Sequence, residues 1–183
     1  SSNSNNVSVN VQQLAQKSAT LQLQSHDNFV GTETISVEVT DGGRTDSQNF
    51  TITVGAVNDA PQLNDISDVQ IFEGGNTTVD FFAVDIDSDE LTFSVFDIPT
   101  DVNFELTSTG NKTAQLFLSS PTNYTGSSTI TVTVDDGLLS DSKTFTFTVL
   151  NINDAPQLTP IGNQSTFEES DLIIPISATD IDD

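Results

Sequence analysis

Apolar and polar positions alternate with period 2 through most of this chain. Residues 129–134 read Thr-Ile-Thr-Val-Thr-Val, and 144–150 read Thr-Phe-Thr-Phe-Thr-Val-Leu. Alternation of this kind places one set of side chains on a buried face and the other in water. The pattern predicts inward Ile130, Val132 and Val134, and inward Phe145, Phe147 and Val149, with Thr on a solvated pleat. The same reading predicts strands at 69–72, 77–84, 91–96, 102–106 and 114–118. Asp135-Asp136-Gly137, between the last two long strands, reads as a hairpin turn, because Asp-Gly suits positive φ. No segment carries helical periodicity.

The chain also repeats itself. Asn58-Asp59-Ala60-Pro61-Gln62-Leu63 recurs as Asn153-Asp154-Ala155-Pro156-Gln157-Leu158, an offset of 95 residues. The same ungapped offset carries Glu73 to Glu168, Asp85-Ile86-Asp87 to Asp180-Ile181-Asp182, Asp136-Gly137 back to Asp41-Gly42, and Gly126 back to Gly31. A fixed period of apolar, acidic and Gly/Pro positions marks a tandem array. Residues 58–152 make one complete repeat, 1–57 the C-terminal part of a preceding one, and 153–183 the N-terminal part of a following one. About seven strands within 95 residues, separated by turns, predict an all-β chain of tandem immunoglobulin-like Greek-key sandwiches. The incomplete outer repeats would present unpaired strand edges. They are expected to be disordered or to associate between chains.

Composition narrows the function. The 183 residues include 27 Asp+Glu against 4 Lys+Arg, a formal charge of −23, with one His and no Cys, Met or Trp. So anionic a surface repels phosphate backbones, and nucleic acid is not an expected partner. The absence of Cys removes disulfides, thiolate metal sites and Cys nucleophiles. No apolar run is long enough to span a membrane. The Ser/Asn-rich start does not read as a signal peptide. Disorder, a common companion of high net charge, is countered by the alternating Phe, Val and Ile.

The carboxylates gather in groups that recur with the repeat. Asp85, Asp87 and Asp89 follow the second predicted strand of the complete repeat, Asp136 lies in its last hairpin, and Asn58 and Asp59 lie in the connection between repeats. In a Greek-key sandwich these positions share one pole, while Glu73, near the end of the first strand, points to the other. Oxygen-only ligands select hard cations, and Ca²⁺ accepts 6–8 oxygens from separate loops more readily than octahedral Mg²⁺. Ca²⁺ is therefore the expected cofactor. The bland alternative is solvated turn chemistry. An EF-hand is excluded, since Glu90 stands at the Gly position and Phe96 at the bidentate Glu position.

Taken together, the Asn-Asp-Ala-Pro linker, the Glu of the first strand, the Asp-x-Asp and the hairpin Asp resemble cadherin-type repeats. The period is similar to that of the bacterial cadherin-like tandem-95 modules of large surface adhesins. The resemblance implies Ca²⁺ between successive repeats. One junction would use Asn58, Asp59, Asp85, Asp87 and Asp136, and the next Glu73, Asn153, Asp154, Asp180 and Asp182. There are departures. The first Asp of the cadherin linker is Ala56 or Asn151, its final Asn is Ala60 or Ala155, and Leu118-Ser119-Ser120-Pro121 replaces the Asp-Arg-Glu motif. Fewer and weaker ion sites follow. The implied role is a Ca²⁺-rigidified spacer or adhesion module at the cell surface of a secreted bacterial protein. Its partners would be neighbouring repeats, with any cell-surface protein or glycan reached through other domains.

A carbohydrate-binding β-sandwich is the alternative, although Tyr124 is the sole Tyr and the alternation turns most Phe inward. Homophilic adhesion lacks a Trp to insert into a partner. Catalysis is not expected. Glu168 and Glu169 are strand neighbours that face opposite ways, and His26 has Pro121 at its repeat position. Tyr124, with Phe29 at the equivalent place, reads as an apolar plug at the end of the sandwich.

Overall fold

The computed structural model describes residues 6–87 and 90–182 and divides into two compact units, the first ending at Asn58. The first unit holds two antiparallel hairpins, β1 (Val7–Ala15) with β2 (Ser18–Ser25) and β3 (Gly31–Thr40) with β4 (Thr45–Val54). These pair their backbone locally, so that the first partial repeat is ordered into strands rather than disordered.

The second unit contains a two-sheet sandwich. One sheet orders β5 (Gln62–Leu63), β7 (Asn76–Val84), β10 (Thr113–Ser119) and β9 (Asn103–Gly110), all antiparallel. The other orders β6 (Val69–Phe72), β12 (Ser140–Leu150), β11 (Gly126–Asp135) and β8 (Thr92–Phe96). Within it β6 runs parallel to β12, from Val69 opposite Phe147 to Phe72 opposite Leu150. Two antiparallel-dominated sheets with this strand order make an immunoglobulin-like sandwich. After it, β13 (Gln157–Leu158) pairs with β14 (Ala178–Thr179) as β5 pairs with β7, 95 residues earlier.

The alternation reads out as the core. Ile130, Val132, Val134, Phe145, Phe147 and Val149 are all buried, facing Phe81, Leu116 and Leu118 of the opposite sheet. Tyr124 packs at the margin of this cluster, as a plug should. The repeat extends to the backbone. Gly42 and Gly137 have φ of 93° and 97°, in the two Asp-Gly turns. Asn28 and Asn123, also 95 residues apart, have φ of 61° and 62°. Asn tolerates that left-handed conformation better than most residues.

One expectation needs correction. Only Phe81, Phe145 and Phe147 among the described Phe residues are buried. Phe82 points outward because alternation must reverse its neighbour Phe81, and Phe72, Phe96 and Phe104 lie on strands at sheet edges, which the opposite sheet covers poorly.

Candidate metal site

One backbone donor joins the linker to the Asp-x-Asp corner, and a second closes the corner on itself. Asp59 N–H donates to Asp87 Oδ2 at 2.7 Å, and Asp87 N–H donates to Asp85 Oδ1 at 2.8 Å. β5 causes this meeting, since Gln62 pairs with Val84 and leaves Asp59 and Asp85 just outside the ladder. The arrangement repeats one period later. Asp154 N–H donates to Asp182 Oδ2, and Asp182 N–H donates to Asp180 Oδ1 at 3.0 Å. Asp85 and Asp180 are half-buried, while Asp59, Asp87, Asp154 and Asp182 are exposed. Asn153 turns its side-chain amide onto the Asp154 carbonyl at 2.8 Å. Asn58 closes the first unit and is half-buried.

Asp136 lies at the same end as the first corner, because Asp135 pairs with Thr92, two residues past Glu90. Its Oδ1 accepts N–H bonds from Leu138 and Leu139 at 2.7 and 2.8 Å. Asp41 does the same for Gly43 and Arg44 at 2.9 and 2.8 Å. The Arg44 and Gly43 N–H groups hold the Asp41 carboxyl below its ordinary pKa, because they favour its charged form. Asp89 lies outside the described residues.

Glu73 sits at the opposite end of the sandwich. It is 8% exposed, and both carboxylate oxygens are engaged: Oε1 accepts Ile152 N–H at 2.8 Å and Oε2 accepts Asn123 N–H. Around it, Glu73 N–H donates to Leu150 O, Gly74 N–H to Pro121 O and Ser120 N–H to Gly75 O. The carboxylate thus stitches the loop before β11 to the outgoing linker. A cleft of about 590 Å³ beside this seam is lined by Asn123, Asp154, Gln157 and Asp180. Glu73 is therefore one hydrogen bond from a cleft that also holds linker and Asp-x-Asp carboxylates. Among the described residues, no three His, Cys, Asp or Glu side chains gather closely enough to hold one metal ion. In each corner one carboxylate accepts the linker N–H and another the N–H two residues on.

Residues 58–148 match the family model described as the bacterial Ig domain. Over those residues the chain is similar to bacterial Ig domains, in keeping with its immunoglobulin-like sandwich. Its strands β5 to β12 fall within that match or at its C-terminal margin. The chain is also 33% identical over 133 residues to "Chitinase A" of Pseudoalteromonas piscicida, a match covering 70% of this chain and 16% of that protein. Among solved structures, an endo-fucoidan hydrolase of glycoside hydrolase family 107 is similar at 19% identity and TM-score 0.44, over 85% of this chain and 23% of that one. The titin domains Z1Z2 in complex with telethonin are similar at 14% identity and TM-score 0.45, over 79% and 73%. Likenesses this slight decide nothing about the Ig-like domain. No helix among the described residues is long and apolar enough to cross a membrane.

Sequence reading alone assigned no role to two groups at the site. Asp141 Oδ2 accepts Leu63 N–H at 2.9 Å and so anchors β5. Lys112 reaches the Asp85 carbonyl. Both had a signal, since Asp46 and Lys17 precede them by 95 residues.

Proposed function

We propose that this chain is a Ca²⁺-binding, cadherin-like segment of an extracellular bacterial protein, acting as a non-catalytic spacer that stiffens when its junctions bind the ion. The observation that carries the reading is the doubled corner. A linker Asp joined to an Asp-x-Asp recurs after 95 residues with the same two hydrogen bonds. Solvated turn residues have no reason to preserve a pairing between segments 28 positions apart at one period. The donors are all oxygen, which fits a hard cation. Asp59, Asp85, Asp87 and Asp136 would serve one junction with Asn58. Glu73, Asp154, Asp180 and Asp182 would serve the next with Asn153. So few carboxylates at each corner would need backbone carbonyls and Asn oxygens to complete a shell of 6–8 ligands. That requirement favours the weak end of extracellular Ca²⁺ affinity, about 10⁻⁴–10⁻³ M.

Function follows from the charge. Without the ion, like charges at each junction repel within a Debye length of about 8 Å. With it, linker and corner share one countercharge, and the linker loses freedom. Ion binding to the folded form alone also stabilises it, by about 2.7 kcal/mol per site at 100 times Kd.

The relative's name favours a second reading, that of an accessory module in a polysaccharide-degrading enzyme, binding the polymer itself. Outward aromatic rings are present, but Phe82 lies opposite Thr113 and Phe117 opposite Thr78, four residues apart along one ladder. They form no continuous stacking platform.

A thermal melt in EDTA, then across Ca²⁺ up to about 10 mM with Mg²⁺ at matched ionic strength, tests the first reading against the affinity range given above. The expected result is a saturable, Ca²⁺-specific rise in Tm that Asp85→Asn/Asp87→Asn reduces. Equal effects of Ca²⁺ and Mg²⁺ would sink it, and retention on colloidal chitin would then support the second reading.

A further inference from the structure

Two apolar faces of this chain lie uncovered, and the complete repeat shows what covers each. By the 95-residue offset, β1–β4 stand in the phase of β9–β12, and residues 153–183 stand in the phase of β5–β7. Val37, Val39 and Phe50 hold the places of Val132, Val134 and Phe145, and Leu158, Ile174 and Ile176 hold those of Leu63, Val79 and Phe81. In the complete repeat these positions pack together as one core. Their counterparts do not. Val39 is 67% exposed where Val134 is fully buried, and Ile176 is 70% exposed where Phe81 is buried. Each flanking segment therefore presents the face that the other is patterned to cover. Together they supply every strand phase except that of β8, which lies at a sheet edge.

The seat of Glu73 is kept in halves as well. Its carboxylate accepts the N–H groups of Asn123 and Ile152. Asn28 has the left-handed φ of Asn123, and Glu169 takes φ of 59° where Gly74 takes 67°. That conformation is cheap for Gly and costly for a residue with a Cβ. Glu168 beside it is exposed, unlike Glu73. Both halves thus hold the backbone of a joint that fits one to the other.

We propose that residues 153–183 of one copy complete the half-sandwich β1–β4 of a second copy, head to tail. The chain enters the complete sandwich at the Asp85 end and leaves it at the Glu73 end, so the completing segment comes from another molecule. Residues 171–177 add to β2 as β7 adds to β10, with Ile174 opposite Leu21 and Ile176 opposite Ala19. Glu168 accepts the Asn28 and Val57 N–H groups, as Glu73 does those of Asn123 and Ile152. The two faces differ, so the contact is heterologous and leaves a free head and a free tail on every open assembly.

Sedimentation velocity of the whole chain across micromolar concentrations tests this. It is run in EDTA, which separates it from the calcium reading, and in salt high enough to screen the repulsion between two acidic segments. The wild type should assemble beyond the dimer as concentration rises. Val39→Asp closes the head and Ile176→Asp the tail, and both positions are exposed, so each variant should fold. Each alone should stay monomeric, and an equimolar mixture should stop at the dimer. Glu168→Gln should raise the dissociation constant roughly tenfold or more and leave the unfolding of the complete sandwich as it is. A wild type that stays monomeric throughout, a blocked variant that assembles alone as the wild type does, a mixture that stays monomeric, or an unchanged constant in Glu168→Gln overturns the proposal.

Discussion

Replacing Glu73 by Gln should destabilise the sandwich out of proportion to the change in shape. The side chain is 8% exposed, and its two oxygens accept N–H bonds from Ile152 and Asn123. Hydrogen bonds to charged groups contribute about 1.5–3 kcal/mol each. Gln keeps one oxygen, now neutral, and its bond drops to about 0.5–1.5 kcal/mol. The new NH₂ must face the other backbone N–H, donor against donor, so that bond is lost outright. The expected cost is about 2–4 kcal/mol, a large part of the 5–15 kcal/mol typical of a domain. Tm should fall by on the order of 10 °C. Urea denaturation is the assay, with an unchanged m-value showing that the two states themselves are the same. Glu168→Gln is the control, being the same residue at the same phase of the repeat but exposed. It should change stability by less than about 0.5 kcal/mol. A Glu73→Gln loss no larger than the control's would refute the idea that this carboxylate stitches the loop before β11 to the linker.

Two further outcomes follow from the core and the surface. Phe147→Ala should cost about 3–5 kcal/mol by equilibrium unfolding and Thr148→Ala, on the outer face, no more than about 0.5; equal costs would mean that the alternation does not define the core. The Lys143 ammonium holds the Asp65 carboxyl below its ordinary pKa, first through a hydrogen bond of 2.9 Å and then through its charge. A carboxylate with a folded pKa below its unfolded one stabilises above the unfolded value and ceases to do so as pH falls through the folded value. Lys143 is raised in turn, so its share persists at neutral pH and is lost only as pH rises through that raised value. Asp65→Asn should therefore flatten the fall in Tm between about pH 5 and 2, and identical slopes in the two proteins would exclude the pair as a contributor.

Much of the fold was legible because each long strand carries its own evidence. Strand β6 spans the very residues, Val69–Phe72, that alternation indicates, and β11 and β12 bury the predicted faces. Strand β5 was not legible, since two residues cannot display a period and its place depends on Asp141, 78 residues away. Phe72, Phe96 and Phe104 were misread because hydrophobicity alone does not tell a central strand from an edge. At the site, the repeat made the company of Asp59 with Asp87 readable from sequence. What no repeat could announce is where the second lone pair goes. An Asp beside a turn reaches an N–H two residues on as readily as an ion, and here Asp85, Asp136 and Asp180 do so.

The parallel pairing of β6 with β12 decides how the domain carries a pull. The chain enters the sandwich ahead of Val69 and leaves it after Leu150, at opposite ends of a ladder that aligns Val69 with Phe147 and Phe72 with Leu150. Tension between the two termini slides these strands past one another, so the ladder's hydrogen bonds bear the load together. The antiparallel β11–β12 hairpin, pulled from its open end, would peel one bond at a time. The Glu73 carboxylate holds Ile152 just where the load leaves that ladder. The weak direction of this sandwich is turned away from the line along which a tethered chain is stretched.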